Sequence, residues 1–376
     1  MTKRNVPELR LAGFDGEWVE TTVGRVSTIH NGKDYKHLNP GPIPVYGTGG
    51  YMCGVDQALS AQKDAVGIGR KGTINKPLLL IAPFWTVDTL FYLIPSRTTN
   101  LHFFFAAMLQ IDWASKNTGT GLPSLTSTTI ASSTLTAPLT LAEQEAIGAV
   151  FSDLDAVIEK HEQKHRALQQ TKAALMQRMF PQEGETEPRL RMEGFNGMWN
   201  KLSLHQILTF INGRAYAQSE LQRSGKYPVL RVGNFYTNSS WYFSDLELSD
   251  KYYAENGDLL YTWSASFGPQ IWRGQRVIYH YHIWKIELSD SLNREFAYSI
   301  FDKDKTEIMT QTNGSTMVHV TKDRMEKKQI MLPPTLAEQE AIGAVFSKLD
   351  GLITAEAKLV EKLKQTKTAL LQKMFV

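Results

Sequence analysis

Residues Leu141–Ser152 read LAEQEAIGAVFS, and Leu336–Ser347 read LAEQEAIGAVFS again, twelve identical residues 195 positions apart. The correspondence runs on without a gap. Leu154 and Asp155 answer Leu349 and Asp350; Gln170, Thr171 and Lys172 answer Gln365, Thr366 and Lys367; Met179 and Phe180 answer Met374 and Phe375. Backwards, Gly119, Thr126 and Pro138 answer Gly314, Thr321 and Pro333. A second matched pair opens each unit. Pro7–Trp18 (PELRLAGFDGEW) answers Pro188–Trp199 (PRLRMEGFNGMW), 181 positions apart, and the two openings run on to His30-Asn31-Gly32 and Ile211-Asn212-Gly213. Between these blocks the units diverge. Duplication for stability alone does not explain why the likeness is confined to the ends.

The closing blocks read as long helices. From Thr140 to Phe180 there is no Pro and one Gly, Gly148, and Thr140 with Glu143 resembles a capping box. Apolar residues recur at heptad spacing: Ile147, Leu154, Leu168 and Leu175 on one row, with Phe151, Ile158 and Met179 on the next. The second copy gives Ile342, Leu349, Leu363 and Leu370, with Phe346, Ile353, Val360 and Met374. Such a seam predicts coiled-coil pairing, and about 40 residues at ~1.5 Å each make a rod of about 60 Å. Two similar helices in one chain pair most simply antiparallel, about a pseudo-two-fold axis. The seam breaks at His161, His165 and Glu356, which read as a polar layer rather than a metal site, since the spacing of zinc ligands is absent.

The predicted organisation is therefore a first variable body at 1–137, a central helix at 138–180, the polar linker PQEGETEP at 181–188, a second body at 189–332 and a distal helix at 333–376. Within the bodies, Ala65–Ile68, Leu78–Ala82, Thr89–Ile94, Tyr227–Val232, Asp258–Trp263 and Arg276–Glu287 are strand-like, and Leu101–Asp112 reads as a short helix. The fold class is α+β: two domains separated by two long antiparallel helices.

Composition bounds the function. With 376 residues, 42% apolar, the chain can bury two or three cores. The single Cys53 excludes a disulfide framework and any Cys-based zinc site. MTKRNVPELR has no apolar signal-peptide core, and the apolar stretches at 77–83 and 88–95 fall far short of the roughly 20 residues of a membrane helix. The expectation is a cytoplasmic protein. Lys and Arg number 41 against 38 Asp and Glu, for a net charge of +3. Residues 181–335 hold 18 of each sign, so any phosphate binding must rest on local charge or a partner.

The catalytic motifs are missing. Gly67-Ile68-Gly69-Arg70-Lys71-Gly72 matches G-x-G-x-x-G, but Pro77 denies the helix that a dinucleotide site requires. It reads instead as a strand-to-loop turn exposing Arg70 and Lys71. The aligned segment of the second body is Asp258–Gly268. One loop carries Arg70, Lys71, Thr73, Asn75 and Lys76; the other carries Thr262, Trp263, Ser264, Ser266 and Phe267, with Arg273 beyond it. These are base-edge and phosphate partners by type. So are Lys33, Thr48, Arg214, Arg231 and Asn234, and the polar loops before the long helices with Asn117, Thr120, Asn313 and Ser315. Any one of them reads equally well as part of an ordinary solvated loop. Tyr46–Tyr51 (YGTGGY) is a turn whose glycines suit positive φ. There is no Walker-type phosphate loop, no H-E-x-x-H and no N-P-P-aromatic motif.

Two variable domains, each opened by G-F-x-G-x-W and closed by L-A-E-Q-E-A-I and a helix ending Q-T-K-x-A-L-x-Q-x-M-F, resemble the specificity subunit of type I restriction–modification enzymes. The likeness covers nearly the whole chain. It implies a non-catalytic reader of double-stranded DNA in which each target-recognition domain reads one half of a split, asymmetric site. It implies two modification subunits, which carry S-adenosylmethionine and methylate adenine N6, and two restriction subunits, which use ATP and Mg. This chain would carry no cofactor. The target adenine would be flipped into the modification subunit. Other readings are a specificity-like reader serving a different phage-defence or DNA-modification system, a stand-alone methyltransferase, which the missing motifs oppose, and a coiled-coil scaffold with no DNA role.

Overall fold

The structure, a computed structural model, describes residues 5–236, 238–264, 266–311 and 320–376. The chain forms two compact units, Met1–Gln163 with Glu356–Val376, and Lys164–Ala355. Each unit thus holds one variable body, the first part of the long helix that follows it and the last part of the long helix of the other copy.

In the first unit a four-stranded antiparallel sheet has the order Ser27–Asn31, Leu90–Pro95, Ala65–Gly69, Leu78–Leu80. A second sheet has the order Gly50–Val55, Pro40–Gly47, Trp85–Thr86, the last pair parallel. A two-stranded ribbon joins Val19–Thr22 to Thr134–Ala137. The second unit repeats the plan: Leu208–Asn212, Ile283–Leu288, Leu259–Thr262, Gly268–Ile271; then Tyr242–Ser244, Tyr227–Leu230, Val277–Tyr279, Tyr253–Ala254, again with one parallel pair; then a ribbon of Asn200–Ser203 with Gln329–Leu332. Divergent sequences therefore conceal one topology. Ala65–Gly69 and Leu259–Thr262 are buried at every position, as continuous apolar runs should be in central strands. Helix Leu101–Gln110 covers the first main sheet through Phe104, Ala107 and Met108, and Arg294–Gln311 covers the second through Phe296 and Phe301. The expected single strand Arg276–Glu287 is two strands in different sheets, with the chain crossing between them at 280–282.

The long helices span Leu141–Met179 and Leu336–Met374. They run antiparallel: in the first unit Lys367 bonds Asp155 while Glu356, earlier in its helix, bonds His161, later in the other. In the second unit Lys172 bonds Asp350. The pairs Asp155–Lys367 and Asp350–Lys172 interchange when the two copies are exchanged, and both measure 2.5 Å, so each unit repeats the same contact between its two helix segments. Of the heptad residues, Ile147, Phe151, Ile158, Ile342 and Phe346 are buried, and Leu154, Leu168, Leu175, Leu349, Ile353, Leu363 and Leu370 are half-buried. Met176 and Leu371, one position on from Leu175 and Leu370, are buried more fully.

The repeated residues build a frame, stated once in each unit. Arg10 sends Nε and Nη2 to the two oxygens of Glu143, both at 2.8 Å, and Trp18 Nε1 donates to the same carboxylate at 3.3 Å. Arg191, Glu338 and Trp199 reproduce this with the same three distances. Both carboxylates are buried, so the bidentate guanidinium and the indole supply the partners that a buried charge requires. This corrects the capping-box reading. Thr140 Oγ1 does accept from the Glu143 N–H at 3.3 Å, but the Glu143 side chain serves the opening segment, not the cap.

The other repeated residues have equally direct roles. Gln144 Oε1 accepts from the Asn100 N–H, and Asn100 Oδ1 caps the helix at the Phe103 N–H. Gln339, Asn293 and Phe296 do the same. Gly148 lets that helix start come close, since a Cβ there would lie 2.4 Å from Asn100 Oδ1 and 2.9 Å from Phe103 N. Phe375 stacks on Phe103 and meets Trp18 and Phe151; Phe180 stacks on Phe296 and meets Trp199 and Phe346. Full burial of one such ring contributes about 1.5–3 kcal/mol. The C-terminal Met-Phe of each helix thus completes the core of the unit opened by the other copy.

Candidate nucleic-acid interface

In the first unit, several loops meet where strand Ala65–Gly69 leaves the main sheet. The Arg70 and Lys71 N–H groups donate to the Thr89 carbonyl, the Leu125 N–H donates to the Arg70 carbonyl and the Gly72 N–H to the Pro123 carbonyl. Gly72 has φ +88°, and a Cβ on it would lie 3.8 Å from Thr48 Oγ1. The Lys33 N–H donates to Thr86 O. The turn at 70–76, the hairpin at 47–50, the crossing at 87–89 and the loop at 117–124 are therefore neighbours. Lys33, Arg70, Lys71, Thr73, Asn75, Lys76 and Thr120 are exposed there, and Thr48 is half-buried. Arg70 lies with its guanidinium 5.9 Å from the centre of the Phe91 ring. Asn117 is turned onto its own loop: its Oδ1 accepts from the Gly119 and Ser124 N–H groups and its Nδ2 donates to Gly119 O.

The second unit has the same junction with different chemistry. The Arg214 N–H donates to Tyr279 O, as Lys33 does to Thr86 O. Unlike exposed Lys33, Arg214 is held by both oxygens of Glu220, at 2.9 and 2.6 Å. That pairing raises the Arg214 pKa and lowers that of Glu220. Arg231 lies over the Tyr242 ring and bonds Ser240 O, while its buried Nε has no hydrogen-bond partner among the described residues. Asn234 is spent on the 231–240 loop, accepting from the Arg231 N–H and donating to Asn238 O and Ser240 O. Trp263 stacks on Trp284 and sends Nε1 to Tyr281 O. Ser264 is half-buried; Ser266 and Arg273 are exposed.

Two expected contacts are corrected. Thr262 is 0% exposed, its hydroxyl donating to Ser266 O and Gly268 O inside the hairpin, and Phe267 is 7% exposed in the core. Neither can reach a nucleic acid. Their polar or aromatic type matched the chemistry, but one residue ends a central strand and the other faces inward from the return. Asn313 and Ser315 lie outside the described residues. His280, Tyr281 and His282, which match no sequence motif, occupy the crossing between the two sheets beside Trp263.

The family model described as the type I restriction modification DNA specificity domain matches residues 15–170 and again 196–365. The chain belongs to this family. The specificity subunit of the type I restriction enzyme MjaVIII of Methanocaldococcus jannaschii is 27% identical over 180 residues, 47% of this chain and 42% of that protein. The match thus spans less than half of that relative's length. The S subunit of the type I restriction–modification system of M. genitalium has a similar fold, with TM-score 0.72 at 15% identity over 99% of each chain. A chain in a structure described as the basis of complex assembly and conformational transition of the type I R-M system matches at TM-score 0.50 and 18% identity, over 95% of this chain and 97% of that one.

Specificity subunits of this family are DNA-recognition components without catalysis. Among the described residues no cluster of three or more His, Cys, Asp or Glu could hold a metal, and no helix is long and apolar enough to cross a membrane.

Proposed function

We propose that this specificity chain reads a split, asymmetric DNA target, one half per variable domain, and presents it to two modification subunits for adenine-N6 methylation. Two restriction subunits complete the nuclease. S-adenosylmethionine would belong to the modification subunit, and ATP and Mg to the restriction subunit, all in the cytoplasm. Spacing between the half-sites would be set by the long helices.

One observation carries this reading. The frame of Arg10, Glu143 and Trp18 recurs in Arg191, Glu338 and Trp199 with unchanged distances, while the loops at the same end of each main sheet differ in nearly every side chain. A constant frame with two different exposed edges is what reading two unlike half-sites requires. The exposed Lys33, Arg70, Lys71 and Lys76 supply local positive charge in the first domain. Arg and Lys are suited both to guanine edges and to phosphates.

The test is to express the chain with a modification subunit in cells lacking other adenine methylation and to map the methylated adenines. A two-part motif with a fixed gap supports the proposal. Methylation by the chain alone would overturn the division of labour, and a complex that binds all DNA alike would favour a scaffold.

A further inference from the structure

The crossing His280-Tyr281-His282 joins strand Val277–Tyr279 of one sheet to strand Ile283–Leu288 of the other. Its backbone is tied down on both sides. The His280 N–H donates to Leu230 O, the Tyr281 N–H to Arg214 O, and the Trp263 N–H to His282 O, while the Ile283 N–H closes the turn on His280 O. Trp263 Nε1 adds a bond to Tyr281 O at 2.9 Å. The main chain is thus committed to the protein, with Tyr281 exposed and His280 and His282 half-buried on either side of it. The rings are contiguous: His280 and Tyr281 centres are 4.4 Å apart, Tyr281 and His282 4.0 Å, and Tyr216 stacks on His280. Tyr281 is 40% exposed.

The corresponding crossing of the first domain, residues 87–89, is bonded to the turn that carries Arg70 and Lys71. There the crossing is Val-Asp-Thr and the cations are on the turn. In the second domain the turn lacks cations, its Thr262 and Phe267 are buried, and the polar rings are on the crossing instead. Both arrangements place donor groups at one junction, held by fixed backbone, which is how base edges are read with discrimination.

Resting on the DNA-reading function above, we propose that the His280-Tyr281-His282 crossing is the base-reading element of the second domain, with the Tyr281 hydroxyl donating to a purine edge in the major groove. His280 is uncharged near neutral pH. Burial, together with His282 and Arg231, pushes the His280 pKa down to about 4, so its imidazole offers one donor and one acceptor near neutral pH. Tyr281 contributes a hydroxyl on a ring stiffened by its neighbours.

The experiment uses the complex with modification subunits and a library of target sites varied in each half. Tyr281→Ala should relax discrimination at one or two positions of one half-site by roughly tenfold or more, leave the other half-site intact and leave the salt dependence of binding unchanged. Tyr281→Phe, which keeps the ring and its packing, should relax the same positions. An unchanged motif in both variants would overturn the assignment. So would a uniform loss across all sequences, the mark of a contact to the DNA backbone rather than to a base. Exchanging residues 189–332 for another such domain separates this from failure of the functional reading: if that exchange leaves both half-sites unchanged, the reading itself is wrong.

Discussion

His161 and Glu356 occupy the same position in the two copies, 195 residues apart, and they are bonded to each other, Nδ1 to Oε2 at 2.8 Å. A position that meets its own counterpart marks where the two antiparallel helix segments come level with each other. Identical residues there would set imidazole against imidazole or carboxylate against carboxylate, and two adjacent carboxylates resist joint ionisation. The difference between the copies therefore favours pairing of one copy's helix with the other's. His161→Glu should destabilise the chain by roughly 1–3 kcal/mol at neutral pH, and the exchange of His161→Glu with Glu356→His should restore most of it. Urea melts of the three proteins check this; equal midpoints for the single variant and the parent would refute it.

The Glu143 and Glu338 clamps should be equivalent in energy, since their geometry is. Glu143→Ala or Glu338→Ala leaves a half-buried Arg and a buried Trp N–H without their acceptor. Each should cost about 2–4 kcal/mol. Thermal melts should show two similar losses; a loss under about 0.5 kcal/mol, the size of an ordinary surface change, would contradict the clamp.

Three helical glycines separate packing from propensity. Ala is better than Gly within a helix by about 1 kcal/mol. At Gly351 a Cβ would meet nothing within 4 Å, so Gly351→Ala should stabilise by about that amount. At Gly343 a Cβ would come within 2.8 Å of Phe296 N and Glu295 Cβ, and at Gly148 within 2.4 Å of Asn100 Oδ1. There the clash outweighs propensity, and both Ala variants should be destabilised. Comparing melting temperatures decides it, and a stabilising Gly343→Ala would contradict the close approach.

His280 gives the second domain a pH response. Its pKa is pushed down to about 4 from about 6.5 in the unfolded chain. Between these values the unfolded state binds a proton that the folded state refuses, so stability rises with pH through this window. The contribution is complete above about 6.5 and lost as pH falls towards 4. His280→Gln should flatten the difference between urea midpoints at pH 7.5 and pH 5; an unaltered difference would assign the response elsewhere.

The helices, their antiparallel pairing and the two-body plan were legible because they rest on repetition and heptad spacing, which survive in one dimension. What the repeated polar residues do was not legible. Glu143 sits at the third helical position, where a capping box would put it, and only the fold brings Arg10 and Trp18 to it. The site was harder. Thr262 and Phe267 have suitable chemistry, but their burial depends on which strand is central. The His280 crossing lay inside a run that reads as one strand from Arg276 to Glu287. The signal was there in its length and in three consecutive polar rings, but without the second sheet nothing marked them as a junction.

The measurement that tests the central claim most directly is exchange of residues 14–136 for the corresponding domain of another specificity chain, followed by mapping of methylated adenines made by the assembled complex. The account predicts that one half of the modified motif changes, the other half and the gap persist, and the complex still assembles, because the partners of Glu143, Gln144 and Gly148 recur around Glu338, Gln339 and Gly343 of this chain despite the divergent bodies. An unchanged motif would contradict it.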